Sequence, residues 1–306
     1  MTLEPLLPEI LRQHIPEISA LEPSFDKGGF KWVYRAEVHE RDEALKVIAI
    51  RNVLDQADDH DQAEAFLREQ YARIHREIQA LGKCDVREIV KLGGVKPIEF
   101  EHEKIHYLVY SEEYVNGSDL WRLIRKNKEL PSLFELISLF TSLLRCIQEL
   151  WRHGYVHRDI KPHNVMKTNS PDRPFILLDF GIAFAVNETS LTFRPEDRMP
   201  VATYRYLAPE MLQPDFRERI DYRTDLYTTG MTVFEYAAHR HPLAKDADDL
   251  MQTVSRALRQ PPAPLRKYRK DLPASFCSMV DAMLKKKPAL RPANLKMLVR
   301  QLEEMK

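Results

Sequence analysis

The sequence predicts an α+β fold in which a small β-rich part leads into a larger helical part. Three observations carry this. Between residues 24 and 50, KWVYRAEV alternates apolar and polar positions, and EALKVIAI is a short β-rich run. From about 63 to 81, Leu67, Tyr71, Ile74, Ile78 and Leu81 recur at spacings of four, three, four and three, the signature of an amphipathic helix. After Gly117 the pattern changes: LFELISLFTSLLRCIQELW reads as a long, largely buried helix, and helical segments dominate from there on.

Composition narrows the class further. The chain has 306 residues, 44% hydrophobic and 30% charged, an ordinary globular balance with enough length for two lobes and a sizeable core. Forty-six basic residues cancel forty-six acidic ones, so bulk charge gives no reason to expect nucleic acid or a membrane surface as partner. Cys84, Cys146 and Cys277 lie far apart, which fits neither a disulfide framework nor a zinc site. No apolar run approaches the roughly 18 residues of a membrane helix, and the N-terminus lacks a signal-peptide core. A cytoplasmic location is the expectation.

Taken in order, residues 1–20 alternate prolines with short apolar stretches and read as an N-terminal extension packed on a surface. Gly28-Gly29 marks a tight turn between strands. Five acids and no Lys or Arg in residues 55–64 read as a solvated loop or helix start. The helix at 63–81 follows, with Glu77 beside its apolar stripe, then strands near 92–100 and 105–110. The join falls near 114–119, which divides the chain into 1–20, 21–115 and 116–306. Ser132-x-x-Glu135 is a capping box at the start of the long helix, and Gly154 is placed to cap its end. Further helices are expected at 223–239, 246–258, 273–285 and 292–305.

The most specific segment is His157-Arg158-Asp159-Ile160-Lys161-Pro162-His163-Asn164, with Asp179-Phe180-Gly181 standing fifteen positions beyond Asn164. These motifs resemble the catalytic loop and the metal-binding motif of the eukaryotic-like Ser/Thr protein kinase family. The resemblance covers roughly residues 20–300 and implies a two-lobed kinase-like fold, a β-rich N-lobe and a helical C-lobe. It implies ATP as phosphoryl donor, Mg²⁺ as metal and a protein as substrate. Asp159 would accept or orient the proton of the attacking hydroxyl, and Lys161 would steady the transferred group. Asn164 and Asp179 would hold the metal.

Other positions follow from the same resemblance. Lys46, in Ala44-Leu45-Lys46, fits the strand lysine that contacts the α- and β-phosphates, and Ala44 would roof the adenine. Glu77 fits the helix glutamate paired to that lysine, with Glu69 as runner-up. The phosphate loop reads Asp26-Lys27-Gly28-Gly29-Phe30-Lys31-Trp32-Val33; Asp26 and Lys31 replace the outer glycines of the family pattern, while Gly28, Gly29, Phe30 and Val33 would line the nucleotide. Glu113-Tyr114-Val115 resembles the hinge, where the carbonyl of Glu113 and the N–H of Val115 would bond adenine above Met166. Glu112 falls at a position usually apolar or Thr. Glu210 and Arg291 match a family ion pair, and Asp225 matches the aspartate that holds the catalytic-loop backbone. Lys161 and Thr203 point to Ser or Thr hydroxyls as acceptors.

The implied function is a Ser/Thr protein kinase capable of autophosphorylation. A pseudokinase scaffold and a small-molecule kinase of similar fold stay open as alternatives. The altered glycine loop speaks for the first, and the Glu210–Arg291 pair speaks against the second. Around the activation segment the expectation is activity without obligatory phosphorylation, because the usual phosphosite lies near Met199, with Glu196 and Asp197 close by. Control through Thr189, Ser190 or Thr192 is the competing expectation.

Overall fold

Strands β1 (Ile18–Leu21), β2 (Asp26–Gly28), β3 (Lys31–Val38), β4 (Arg41–Ile50), β5 (Ile98–His102) and β6 (Ile105–Glu113) form one antiparallel sheet in the order β1-β3-β4-β6-β5, with β2 paired to β3. The computed structural model describes residues 4–22, 26–28, 31–50, 60–179, 184–185, 204–213, 215–245 and 248–306. The chain divides into two compact units, one of residues 1–82 and 90–115 and the other of 83–89 and 116–306.

In the first unit, strand alternation assigns the side chains to two faces. Trp32, Tyr34, Ala36 and Val38 of β3 share one face with Leu45, Val47 and Ala49 of β4 and with Tyr107 and Val109 of β6. That face carries a core joined by Leu11 of helix α1 (Pro8–His14) and by Ile15 and Ile18. The N-terminal segment, expected to pack on a surface, supplies buried core residues and most of a sheet strand. Its prolines masked this: Pro8 sits in the first turn of α1, where a missing N–H costs nothing.

The other face packs on helix α2 (His60–Lys83), whose Ile74 and Ile78 meet Ile50, Leu108 and Tyr110. The helix is where the apolar spacing places it. The expected strand at 92–100 begins only at Ile98, because residues 92–97 turn around Gly93 and Gly94. There the buried carboxylate of Glu43 accepts the Gly94 N–H at 2.8 Å and the Ser111 hydroxyl at 2.5 Å. A Cβ on Gly93 would sit 2.3 Å from Ser111 Oγ and 2.5 Å from Glu43 Oε2, so a side chain there would displace this hydrogen-bonded pair.

The second unit contains β7 (Gly117–Asp119), α3 (Leu120–Lys126), α4 (Leu133–Arg152), β8 (Tyr155–Val156), β9 (Val165–Thr168), β10 (Phe175–Leu177) and β11 (Phe184–Ala185). It continues through α5 (Phe216–Arg219), α6 (Tyr222–Ala238), α7 (Leu250–Arg259), α8 (Ala274–Met283) and α9 (Leu295–Glu303). Helix α4 begins where Ser132 Oγ accepts the Glu135 N–H at 3.2 Å. Glu135 does not complete the expected box, because its carboxylate is drawn to Lys167 at 2.5 Å and to the Tyr236 hydroxyl. The helix ends at Gly154, which takes the left-handed φ of 75° that a side chain resists.

Residues 83–89 are tied into this unit by long-range contacts. Leu177 N–H donates to the Glu88 carbonyl at 2.8 Å, and Arg145 Nη1 lies 2.9 Å from the Glu88 carboxylate. Helices α4, α6 and α8 form the core, with Phe140 edge-on to Phe276 at 6.0 Å. Among the described residues no helix is long and apolar enough to cross a membrane, and all three cysteines are buried free thiols.

Helix α6 approaches α8 closely at Gly230, where a Cβ would lie 2.9 Å from Met283 Cβ. Neither atom is the end of a flexible side chain, so the backbones would have to part. Gly230→Ala is expected to destabilise the protein by about 1–3 kcal/mol, as overpacking does. Denaturant unfolding checks it; an unchanged midpoint would show that the two helices are not in close contact.

Candidate active site

The loop between β8 and β9 holds three of the expected residues together. Lys161 Nζ donates to Asp159 Oδ1 at 2.9 Å and Oδ2 at 2.8 Å. Asn164 Nδ2 donates to the Asp159 carbonyl and to Oδ2, both at 2.9 Å. A 3-10 turn, Pro162–Asn164, makes this possible by folding Asn164 back toward Asp159. Burial pushes the Asp159 carboxyl above its ordinary range, while Lys161 pulls it down.

The loop is hung from α6. Both carboxylate oxygens of buried Asp225 accept backbone N–H groups, His157 at 2.8 Å and Arg158 at 2.7 Å. The hydroxyl of Thr232, seven residues and two helical turns further along, is shared between the Thr228 carbonyl of its own helix at 2.9 Å and the Ile160 carbonyl at 3.2 Å. Arg158 takes a left-handed φ of 69°, and Asp179 one of 59°. Such angles cost a non-glycine residue free energy and persist where surrounding bonds impose them. Burial raises the Asp225 carboxyl to about 7, partly offset by the two N–H donors.

His157 is fully buried beneath the same loop. Its Nδ1 accepts the Asp159 N–H at 3.2 Å, so the neutral ring braces the residue after next. Burial lowers the imidazole to about 4. Asp179 is near enough to press on the titration of both His157 and Asp159. Leu178, its neighbour, donates its N–H to the Asn164 carbonyl at 2.8 Å, which ties the Asp179 segment to the loop.

These residues suit a magnesium ion. Mg²⁺ takes oxygen donors and is held by one or two protein groups together with substrate phosphates. Both hydrogens of the Asn164 amide are directed to Asp159, which leaves its Oδ1 as an oxygen donor, and Asp179 supplies a carboxylate.

Ala208-Pro209-Glu210 is anchored as expected. Arg291 Nη1 and Nη2 lie 2.6 and 2.8 Å from the two oxygens of Glu210, with side-chain exposures of 0% and 3%. Thr224 Oγ1 adds a donor to Glu210 at 2.9 Å. The Tyr227 ring lies under the Arg291 guanidinium at 4.8 Å.

In the first unit Val33, Ala44 and Lys46 fall on one face of the sheet. Val33 of β3 pairs in register with Lys46, and Ala44 and Lys46 of β4 lie opposite Glu112 and Tyr110 of β6. All five share the face that packs on α2. Lys46, Glu77 and Glu112 are buried, at 5%, 6% and 2% exposure. Lys46 Nζ forms an ion pair with Glu112, a partner not expected from the sequence. Glu77 accepts the Tyr110 hydroxyl at 3.3 Å. Glu113 ends β6, where it exchanges hydrogen bonds with Lys91: its N–H donates to the Lys91 carbonyl and its Oε1 accepts the Lys91 N–H, both at 2.9 Å. Val115 follows, half-buried.

Gly28 pairs with Lys31 across the β2–β3 ladder, so Lys31 is the first residue of a strand. In the second unit, half-buried Met166 of β9 lies between Asp119 of β7 and Ile176 of β10. Gly29, Phe30, Phe180, Gly181, Thr189, Ser190, Thr192, Glu196, Asp197, Met199 and Thr203 lie outside the described residues, as does the side chain of Glu69. Two contributors escaped the sequence reading. Thr232 was legible in principle, since it shares a helix face with Asp225; the Glu112 pair was not, because it depends on strand register.

A catalytic loop hung from a helix aspartate, a second carboxylate beside it and a buried strand lysine are the marks of a phosphotransferase of the kinase class. The chain belongs to the protein kinase domain family, which matches residues 25–302. It is 32% identical over 202 residues to a probable serine/threonine-protein kinase of Clostridium acetobutylicum, covering 66% of this chain and 29% of that protein. It is 26% identical over 255 residues to the serine/threonine-protein kinase PrkC of Bacillus subtilis, covering 83% of this chain and 35% of that one. The chain thus spans about a third of the length of these relatives. Its fold matches the kinase domain of PknI from Mycobacterium tuberculosis with a TM-score of 0.61, at 19% identity, over 93% of this chain and 94% of that one.

His157 gives a pH dependence with a defined sign. Its pKa falls from 6.5 to about 4 on folding, so between those values the unfolded chain binds more protons. This contribution is complete above about pH 6.5 and is lost as pH falls toward 4. His157→Phe, which cannot protonate, is expected to be less stable than the parent at pH 7. The gap should narrow by on the order of 3 kcal/mol by pH 4, as read from unfolding curves across that window. A gap that stays constant would place a charged imidazole in the folded protein.

Proposed function

We propose that this chain is an ATP- and Mg²⁺-dependent protein kinase that phosphorylates Ser and Thr hydroxyls, its own among them. The observation that carries the reading is the Asp159 carboxylate, fixed by Lys161 and Asn164 on a loop that Asp225 holds from behind. Phosphoryl transfer asks a protein mainly for positioning and charge neutralisation. Asp159 accepts and orients the acceptor hydroxyl, taking its proton as the oxygen bonds to the γ-phosphorus and the bond to ADP breaks. A carboxyl whose affinity for protons is raised by burial suits that task. Lys161, already bonded to both Asp159 oxygens, places positive charge beside the moving phosphoryl group. Asn164 and Asp179 hold the magnesium, which supplies charge neutralisation to the phosphates. Lys46 would contact the α- and β-phosphates, and Val33, Ala44 and Val115 would lie against the adenine. A protein acceptor is favoured by the Glu210–Arg291 anchor, which fixes the segment that would receive a polypeptide.

The purified chain with radiolabelled ATP and Mg²⁺ should label itself and a generic protein substrate. Asp159→Asn should lower kcat by about 10²–10⁴ with ATP affinity nearly intact. A variant that turns over like the parent would remove Asp159 from the mechanism. Asp179→Ala should lose the Mg²⁺-dependent part of ATP binding. Equal Mg·ATP affinity in parent and variant, measured by calorimetry, would place the metal elsewhere.

A further inference from the structure

The ion pair between Lys46 and Glu112 joins two neighbouring strands of one sheet. In the β4–β6 ladder Lys46 stands opposite Tyr110, and Ala44 stands opposite Glu112. Lys46 and Glu112 are therefore diagonal neighbours on the same face, a separation a lysine spans easily. Both are nearly excluded from water. A buried ammonium needs an opposite charge at contact distance, and a buried carboxylate needs the same. Tyr110 lies between the acids of this group: its hydroxyl is 3.3 Å from Glu77 Oε1 and 3.4 Å from Glu112 Oε1. Lys46 Nζ also sits 5.6 Å from the centre of the Tyr110 ring.

We infer that Glu112 is the positioning residue for Lys46, holding the ammonium from within the sheet. The inference rests on the reading of Lys46 as the phosphate-contacting lysine. A partner on a helix holds a lysine only as well as the helix is docked. A partner one strand away is fixed by the same ladder hydrogen bonds that fix the lysine. Glu112 thus ties the aim of Lys46 to the β4–β6 register, and Glu77 on α2 shares the Tyr110 hydroxyl with it. This also accounts for a carboxylate at a position the family fills with an apolar residue or Thr: at this depth it serves the lysine.

The test is a set of variants assayed for kcat/KM with Mg·ATP and a generic protein substrate. Glu112→Gln keeps the shape and removes the charge. It should lower kcat/KM for ATP by about 10- to 100-fold, the range for a lost charged hydrogen bond, with the KM for protein substrate unchanged. Lys46→Met should be impaired as well, and adding Glu112→Gln to it should cost little more, because Glu112 acts through Lys46. A purely structural glutamate would add its full cost in both backgrounds, and that additivity would overturn the inference. So would a Glu112→Gln enzyme with parental or higher kcat/KM beside an impaired Lys46→Met. A fully active Lys46→Met would instead remove the phosphate role of the lysine, and the positioning role with it. If Glu112→Gln does not fold, Glu112→Asp carries the same comparison: charge is kept, reach is shortened by one methylene, and a partial fall is expected.

Discussion

One carboxylate holds the catalytic loop in shape. Asp225 sits near the start of a buried helix and accepts two successive backbone N–H groups from a segment 67 and 68 residues earlier in the chain. Successive N–H groups point in nearly opposite directions in an extended strand, so one carboxylate can bind both only if the backbone turns between them. The left-handed angle at Arg158 is that turn. With the turn imposed, Asp159 follows at a fixed angle, its N–H on the His157 ring and its side chain toward Lys161 and Asn164. The strain at Arg158 is local, and the bonds that hold it come from another element.

The first unit uses a different device for a similar task. Its charged residues are carried on a regular sheet, where alternation alone sends Val33, Ala44, Lys46, Tyr110 and Glu112 to one face. Here backbone regularity positions the side chains, and no unusual dihedral angle is needed at any of the five. On the opposite face Glu43 ties the Gly93–Gly94 crossing to Ser111, which fixes the strand that carries Glu112. A loop strained into shape and a sheet set by register are two routes to the same end: groups placed before substrate arrives.

The sequence showed clearly whatever depended on local pattern. Helix α2 announces itself by its apolar spacing, and the loop from His157 to Asn164 by the density of its chemistry. Helices α6, α8 and α9 fall close to the expected segments for the same reason. The rest failed where distance in sequence mattered. Helix α1 hid behind prolines that its first turn tolerates. Helix α3 is only about two turns, LWRLIRK, too short to show a periodicity. Residues 83–89 follow directly from α2, yet their bonds run to Arg145 and Leu177. Lys46 and Glu112 are 66 positions apart, and only the register of two strands brings them together.

His157 and Asp225 have moved from their ordinary values in opposite directions, one down to about 4 and the other up to about 7. Both shifts come from the same burial, acting on a base and an acid. Folding makes the histidine give up a proton over much of the range in which it makes the aspartate keep one. Across mildly acid pH the two exchanges run in opposite directions, so each offsets part of the other.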